Sequence, residues 1–273
     1  MVLINNIMKN YFGIILFLIS IGLLFNCQNK GNKTTEQHSE NKEEWIQLFN
    51  ETDLDDWIVK INGEPLNSNI HNTFRVDDGV LKVSYDGYDV FGESYGHIFY
   101  NKSFSNYKLR LQYRFVGNQV KDGQEWAKKN SGVMIHCQSP ESMGLNQGFP
   151  VSLEVQLLGG IEEGQERPTG NLCTPGTHVT INEELVTQHC INSSSSTYYG
   201  EEWIDLEVHV LNDSITHFIN GIEVLSYTNP VFGGEYSIDG TKEGNPVTSG
   251  YIALQSESHP IEFRTIELLE MSN

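Results

Sequence analysis

The sequence predicts an all-β fold in which two antiparallel sheets pack face to face, and three observations predict it. Short runs of β-branched and aromatic residues alternate with polar ones and end at Gly, Asn, Asp or Pro, as strands do. Asp78-Gly79 and Asn220-Gly221 mark tight reversals between antiparallel strands. Nothing of helical length carries a 3.6-residue apolar stripe, so a β-sandwich is the expected architecture.

The first 27 residues have the layout of a secretory signal that ends at Cys27. A continuous apolar run over residues 12–25 precedes the cysteine, whose thiol would be lipidated and become the mature N-terminus. Asn26 is looser than the Gly or Ala of a strict lipobox, so ordinary signal cleavage stays open as an alternative. A retained anchor is the third possibility, although the run is short against the roughly 20 residues of a spanning helix. We expect an exported lipoprotein, held to the membrane by its lipid, in the periplasm or at the outer membrane.

Residues 28–43 are polar and contain no large apolar side chain, which predicts a flexible tether. Residues 44–273 carry apolar runs throughout and predict one all-β domain, since such sandwiches often reach about 200–250 residues. The net charge of -19 and the pI near 4.7 argue against a nucleic-acid partner, because phosphates would be repelled over the surface.

The cysteines of the domain fall into two settings. Cys173 and Cys190 lie in Gly/Pro/Ser-rich loop sequence, where an oxidising compartment permits a disulfide, but pairing cannot be read from the sequence alone. Cys137 ends an apolar strand and is more simply a buried thiol.

Alternation assigns the faces of the predicted strands. Val133 and Ile135 point into the core, which sends His136 outward. By the same rule Arg114 and Gln255 point outward from their strands. Near the C-terminus, Ile261 and Phe263 share one face of the strand, whereas Ile266 and Leu268 share the other. A bulge near Arg264 would let all four side chains face the core. The predicted strand runs are TFRVDDGVLKVS, YKLRLQYRFVG, SGVMIHCQ, VSLEVQLLG, WIDLEVHVLNDSITHFINGIEVLSY, GYIALQ and IEFRTIELLEM.

The stretch FPVSLEVQLLGG places Glu154 and Gln156 on the outer face of an apolar strand. Such a polar row is often only a solvated face, but this one runs into long Gly/Pro-rich loops that could wall a groove. The loops carry aromatic residues that could stack on sugar faces, and local loop packing is the alternative for each. These residues are Trp126, Phe149, Tyr198 and Tyr199.

Two catalytic motifs are absent from the sequence: there is no Walker loop and no HExxH. The nine histidines are dispersed; His136 and His189 could contribute to a zinc site, but their spacing gives no support. Retaining glycosidases use two carboxyl groups, commonly from one strand in sandwich glucanases. Here Gln156 stands in place of a second acid after Glu154, so the sequence predicts a single catalytic carboxylate.

The domain resembles the 3-keto-disaccharide hydrolase domain family, whose fold resembles the jelly-roll sandwich of concanavalin A-like lectins and glucanases. The similarity covers about residues 44–270 and is carried by NSG, E-x-Q, and GYIxLQ followed by EFR, read together. The other matching segments are LFNETDLDDWIVK, FRVDDGVLKV, RPTGNLCTPGT and the long WIDLEV hairpin region.

The resemblance implies cleavage of glycosides already oxidised to a ketone at sugar C3. The ketone acidifies the C2 proton, one base removes it, and the glycosidic oxygen leaves by β-elimination before water adds. We assign Glu154 as base or metal ligand, Gln156 as its orienting partner and His136 as acid. The candidates for binding sugar hydroxyls or the enolate are Arg114, Gln255, Glu257, His259 and Arg264, with Trp126 as a stacking surface. The residues identify no cofactor with certainty, and a divalent metal remains open.

Two other readings stay open. This kind of sandwich also serves non-catalytic sugar-binding modules, because a fold does not fix a function. The third hypothesis is a structural surface lipoprotein whose groove neither binds nor cleaves a sugar.

Overall fold

The computed structural model describes residues 44–234 and 242–272, which form two packed antiparallel sheets. The predicted signal segment, Cys27 and the tether lie outside the described residues. The described strands, in chain order, are β1 (Ile46–Gln47), β2 (Trp57–Ile61), β3 (Phe74–Asp77), β4 (Val80–Val83), β5 (Gly96–Phe104), β6 (Tyr107–Phe115), β7 (Asn130–Cys137), β8 (Leu153–Leu158), β9 (Asn171–Cys173), β10 (Thr177–Ile181), β11 (Glu184–Val186), β12 (Cys190–Ile191), β13 (Ile204–Leu211), β14 (Ser214–Ile219), β15 (Ile222–Phe232), β16 (Gly250–Ser256) and β17 (Ile261–Glu270).

Three single-turn 3-10 helices are described in full, at Ile70–Asn72, Glu125–Ala127 and Pro140–Ser142. None of the described helices is long and apolar enough to cross a bilayer. The all-β prediction is therefore confirmed.

The two sheets differ in size. The larger has ten strands, in the order β11-β10-β15-β14-β13-β6-β17-β4-β3, with β1 added beside β17. The smaller has seven, in the order β12-β9-β8-β7-β16-β5-β2. The chain crosses repeatedly between the sheets, as in a jelly roll, so residues far apart in sequence become neighbours in the smaller sheet.

One continuous core lies between the sheets. It contains the inward residues of β6, β7, β8 and β16, as the alternation predicted. Burying such apolar side chains is the main stabilising term of the fold, at roughly 25 cal/mol per Å² removed from water. The representative inward residues are Leu109, Leu111, Tyr113, Val133, Ile135, Val155, Ile252 and Leu254.

The predicted turns and the predicted bulge are present. Asp78-Gly79 joins β3 to β4, and Asn220-Gly221 joins β14 to β15, all four residues at positive φ. On β17 the register shifts between Arg264 and Glu267, and Thr265 has a φ of 53°. The bulge lets the apolar residues on both sides of it face the same core.

The outer face of the smaller sheet is partly covered rather than solvated. A second apolar cluster joins Met134 and Ala253 of neighbouring strands to Phe99 of β5 and to Met143, from the segment after β7. This cluster closes one part of the outer face. The polar row of β8 lies next to it, and there the face opens into a cavity.

Candidate functional site

A cavity of about 290 Å³ lies over the outer face of the smaller sheet. Its floor comes from strands β7, β8 and β9. Trp126 and Pro175 come from loops that the sequence predicted as walls, and Phe149 and His189 come from two other segments. The residues that line it are Trp126, Asn130, Phe149, Glu154, Gln156, Cys173, Pro175, His189, Cys190 and Glu257.

Glu154 lies at the centre of this floor. On β8 it pairs with Met134 of β7 on one side and with Cys173 of β9 on the other, and only 7% of its surface is exposed. Its carboxyl group leans over Gly132, where a Cβ atom would lie 2.6 Å from Oε1. The glycine of the NSG motif thus leaves the space that the Glu154 side chain occupies.

A second carboxyl group, that of Glu257, lines the same cavity. Glu257 follows the end of β16, is 3% exposed, and its Oε2 has no hydrogen-bond partner among the described residues. The sequence predicted a single carboxylate as catalytic and Glu257 as a substrate-binding residue, and the structure brings both carboxyl groups into one cavity. The second acid does not lie on β8. It follows the end of β16, and β7 lies between β8 and β16 in the sheet.

Burial shifts the pKa of both acids upward. Removal from water raises the pKa of Glu154 from 4.5 to about 8. Burial, and then the nearby charge of Glu154, raise the pKa of Glu257 well above its ordinary value, while the Arg167 guanidinium opposes that rise. Because two buried carboxyl groups repel each other when both are ionised, the pair retains a proton near neutral pH. One site therefore offers both an acid and a base.

Arg167 is held in place by backbone oxygens. Its Nη1 donates to the carbonyls of Lys129, at 2.9 Å, and Gly159, and its Nη2 donates to Trp126 O at 3.4 Å. The guanidinium thus joins three segments around the cavity and supplies a fixed positive charge near Glu257.

Gln156 also lines the cavity, as predicted from the polar row of β8. Asn171 Nδ2 donates to its Oε1 at 3.1 Å, across the β8–β9 pair. This hydrogen bond fixes the orientation of the Gln156 amide beside Glu154.

Of the four predicted aromatic residues, two line the cavity and two pack against other parts of the protein. Trp126 is 53% exposed at the cavity and stacks on Tyr95, with ring centroids 6.2 Å apart and planes 11° apart. Phe149 lines the cavity and contacts the same Tyr95 at 5.0 Å. Tyr199 instead donates its hydroxyl to the carbonyls of the 162–165 loop, and Tyr198 packs against the core. For the two tyrosines, local packing was the correct alternative.

A disulfide between Cys173 and Cys190 forms part of the cavity wall. It joins β9 to β12, directly beside Glu154 in the sheet register. Cys137 is a free, buried thiol, as the sequence indicated.

His136 does not lie beside Glu154, so its assignment as the catalytic acid was wrong. Its backbone has a φ of 48°, and the pairing of β7 with β16 shifts register there, which breaks the alternation. The ring packs edge-on against Tyr107, a core residue of the opposite sheet, with centroids 6.2 Å apart.

Arg114 and Arg264 also lie elsewhere, so their assignment to substrate binding was wrong. Both come from the larger sheet, on β6 and β17, and both place their guanidinium over the ring of Trp203. Arg114 forms an ion pair with Glu262 at 2.6 Å, and Arg264 donates to Gln112 at 2.7 Å. Alternation correctly sent Arg114 outward, but from the other sheet.

Two further predicted residues lie near the site but do not line the cavity. Gln255 pairs with His97 of β5 in the register, and both side chains are fully buried. His259 is 2% exposed and packs against Phe115 at 5.7 Å. Its pKa is lowered to about 4, first by burial and then by Lys129, Lys128 and Arg167.

Sequence reasoning assigned no role to Asn130 or Arg167. The signal for Asn130 was present, because NSG was among the motifs that carried the resemblance. No group of three or more His, Cys, Asp or Glu residues that could hold a metal ion occurs in the part of the chain that the structure describes. His189 lines the cavity, whereas His136 lies in the core, so these two residues do not form a zinc site.

Similar structures share the fold. A candidate glycosyl hydrolase from Parabacteroides distasonis ATCC 8503 is 19% identical, with a TM-score of 0.52 over 84% of this chain and 95% of that chain. A second structure of that description from the same organism is 18% identical, with a TM-score of 0.50 over 84% and 100%. The exoplasmic/lumenal domain of VIP36, bound to Ca²⁺ and Man3GlcNAc, is 10% identical, with a TM-score of 0.50 over 85% and 92%. No curated protein matches the sequence.

The family assignment rests on the sequence of the domain itself. The profile of the 3-keto-alpha-glucoside-1,2-lyase-like domain matches residues 44–269, which is nearly all of the sandwich. The chain therefore belongs to this carbohydrate-acting family of 3-keto-alpha-glucoside-1,2-lyase-like domains.

Proposed function

We propose that the domain cleaves 3-keto-glycosides, including 3-keto-disaccharides, by elimination followed by hydration. The observation that carries the proposal is the pair of buried acids, Glu154 and Glu257, in one cavity with raised pKa values. Elimination needs a base for the C2 proton and an acid for the departing oxygen. A carboxyl pair that shares a proton supplies both.

The first half of the reaction removes the leaving group. Glu154, as the carboxylate, takes the proton from C2, and the electrons of that C–H bond pass into the ketone to give an enolate. When the C3 ketone reforms, a C1–C2 double bond forms and the C1–O bond breaks. Glu257, whose pKa is raised by burial, is the partner acid and donates its proton to the departing oxygen.

The second half returns the site to its starting state. Glu257, now ionised, takes a proton from water as the water oxygen bonds to C1. Glu154 exchanges its proton with water while the unsaturated intermediate is bound and then delivers a proton to C2, so the sum of both halves is hydrolysis. Acid and base contributions of this kind are each worth about 10² to 10⁴ in rate.

Carboxyl pairs also serve direct displacement at ordinary glycosides, where one acid is an ionised nucleophile. Burial disfavours that role here, because it raises the pKa of both acids, whereas displacement needs a carboxylate that ionises readily and leaves C1 again in its ionised form. A high pKa suits a group that accepts a carbon-bound proton. The family assignment also favours elimination over direct displacement.

The test compares two substrates that differ only in oxidation at C3. The purified protein is incubated with a 3-keto-glucoside and with the unoxidised parent, and sugar release is followed. Release from the keto compound alone supports the proposal. Release from the parent at an equal rate indicates direct displacement, and binding without release indicates a sugar-binding module.

We further propose that the protein is exported and anchored by lipid at Cys27. The disulfide in the cavity wall supports export, because such bonds persist in oxidising compartments. Replacing Cys27 by Ser should move the protein from the membrane fraction to the soluble fraction. Unchanged membrane association would contradict the lipid anchor.

A further inference from the structure

Asn130 is a buried polar residue of the cavity to which the mechanism above gives no role. It begins β7, is 4% exposed and lines the cavity. Its Nδ2 donates to the carbonyl of Trp126 at 3.4 Å. Its Oδ1 has no hydrogen-bond partner among the described residues. A buried acceptor without a partner is unfavourable in the unliganded protein, which points to a role with a bound ligand.

The sheet register places Asn130 next to the proposed acid. Leu254 pairs with Val133 in the antiparallel β16–β7 pair, and Ser131 Oγ donates to the Gln255 carbonyl, so the two chains run on side by side toward Glu257 and Asn130. Both of these residues line the cavity. Glu257 Oε2 also has no partner among the described residues, so an acceptor and an acid face the same space.

This arrangement fixes which way a substrate lies in the cavity. The acid must reach the departing oxygen, so the leaving group extends from Glu257 toward Asn130 and the exposed ring of Trp126. The oxidised ring then lies toward Glu154 and the disulfide. Asn130 Oδ1 can only accept a hydrogen bond, so the partner it fits is a hydroxyl donor of the leaving group.

We propose that Asn130 is a specificity-determining residue, which selects leaving groups that carry a hydroxyl beside the glycosidic oxygen. The inference rests on the proposed function, because it takes Glu257 as the acid. A leaving group without that hydroxyl leaves Oδ1 desolvated and without a partner in the complex. Sites built to hydrogen-bond a substrate group discriminate strongly for this reason.

The experiment measures a ratio of kcat/KM for two 3-keto-glucosides, using the full chain. One substrate has a sugar leaving group with a hydroxyl next to the linkage, and the other has its deoxy analogue at that hydroxyl. We expect Asn130→Ala to lower this ratio by about tenfold to a hundredfold. Asn130→Asp keeps an acceptor in the same place and should retain the ratio within about threefold, whatever its effect on the separate rates.

The ratio separates specificity from structural damage. Loss of the hydrogen bond from Asn130 to the Trp126 carbonyl affects both substrates alike, so its effect cancels in the ratio of kcat/KM. An unchanged ratio in Asn130→Ala, or an equal fall in both variants, would overturn the inference while wild-type cleavage still supports the proposed function. If the wild type cleaves neither compound, the proposed function itself fails and the inference falls with it.

Discussion

The carboxyl group of Glu154 lies directly over the backbone of Gly132 on the neighbouring strand. A Cβ atom on that glycine would stand 2.6 Å from Oε1 and 2.8 Å from Cγ of Glu154. No real side chain fits at these distances, so the position of the proposed base depends on the absence of a side chain at residue 132.

Replacing Gly132 by Ala should therefore displace the base. We expect kcat to fall at least about a hundredfold, since small misplacements of a catalytic group have effects of this size. Steady-state kinetics with a 3-keto-glucoside measures the fall. Gly144→Ala is the matched control, because its nearest contact would be an ordinary 3.8 Å and its activity should be unchanged. Wild-type activity in Gly132→Ala would count against the placement of Glu154.

Replacing Glu154 by Gln should abolish turnover without unfolding the protein. The amide keeps the shape of the side chain but cannot take a proton from carbon. Glu262→Gln is the control, because Glu262 is also a buried acid but pairs with Arg114 on the other sheet. That variant should lose stability and keep its activity. Full activity in Glu154→Gln would reject the proposed base.

The stability of the protein should depend on pH through Glu154. Its pKa rises from 4.5 to about 8 on folding, so between these values the folded state holds a proton that the unfolded state releases. The free energy of unfolding therefore falls as the pH rises through this window. At pH 8 we expect Glu154→Gln to be more stable than the wild type by about 4 kcal/mol, and nearly equal at pH 4.5.

Denaturant unfolding of both proteins at the two pH values measures this difference. A gap of the same size at both pH values would mean that the ionisation of Glu154 is not its source. The same titration should raise kcat/KM for a keto substrate as the pH increases toward 8, because only the ionised carboxyl group accepts a proton.

The disulfide should contribute to both stability and substrate affinity. It closes a loop with a sequence separation of 17, and a loop of that size is worth about 3 kcal/mol in the chain-entropy account. Replacing both Cys173 and Cys190 by Ala should lower Tm and raise KM, because the bond walls the cavity beside Glu154. Cys137→Ala should leave KM unchanged, since that thiol is buried away from the cavity. If KM is unaltered in the double variant, the disulfide does not contribute to the shape of the cavity wall.

The sequence predicted the sandwich because alternation and turn chemistry are local properties. The runs around Leu109, Val133 and Ile252 each show which residues face the core, and Asp78-Gly79 shows where the chain reverses. Even the bulge near Arg264 follows from a local change of parity. The strand runs predicted from the sequence did not include β5, which carries His97, although the apolar residues of this strand are visible in the sequence.

The site was only partly predictable, because it depends on which strands become neighbours. Glu154 and Gln156 were found from one strand, but Glu257 reaches the same cavity only through the position of β16 in the sheet. Alternation shows that Arg114 points outward but not from which sheet. It also fails at His136, where a single residue with positive φ turns the side chain into the core.

The most direct test of the central claim is the fate of the C2 hydrogen during cleavage. Cleavage of a 3-keto-glucoside in D2O, stopped early, should give 3-keto-glucose with deuterium at C2, at a level well above that of an enzyme-free sample of the same product. Product that retains its original C2 hydrogen would show that the glycosidic bond breaks without proton removal, and would contradict the elimination.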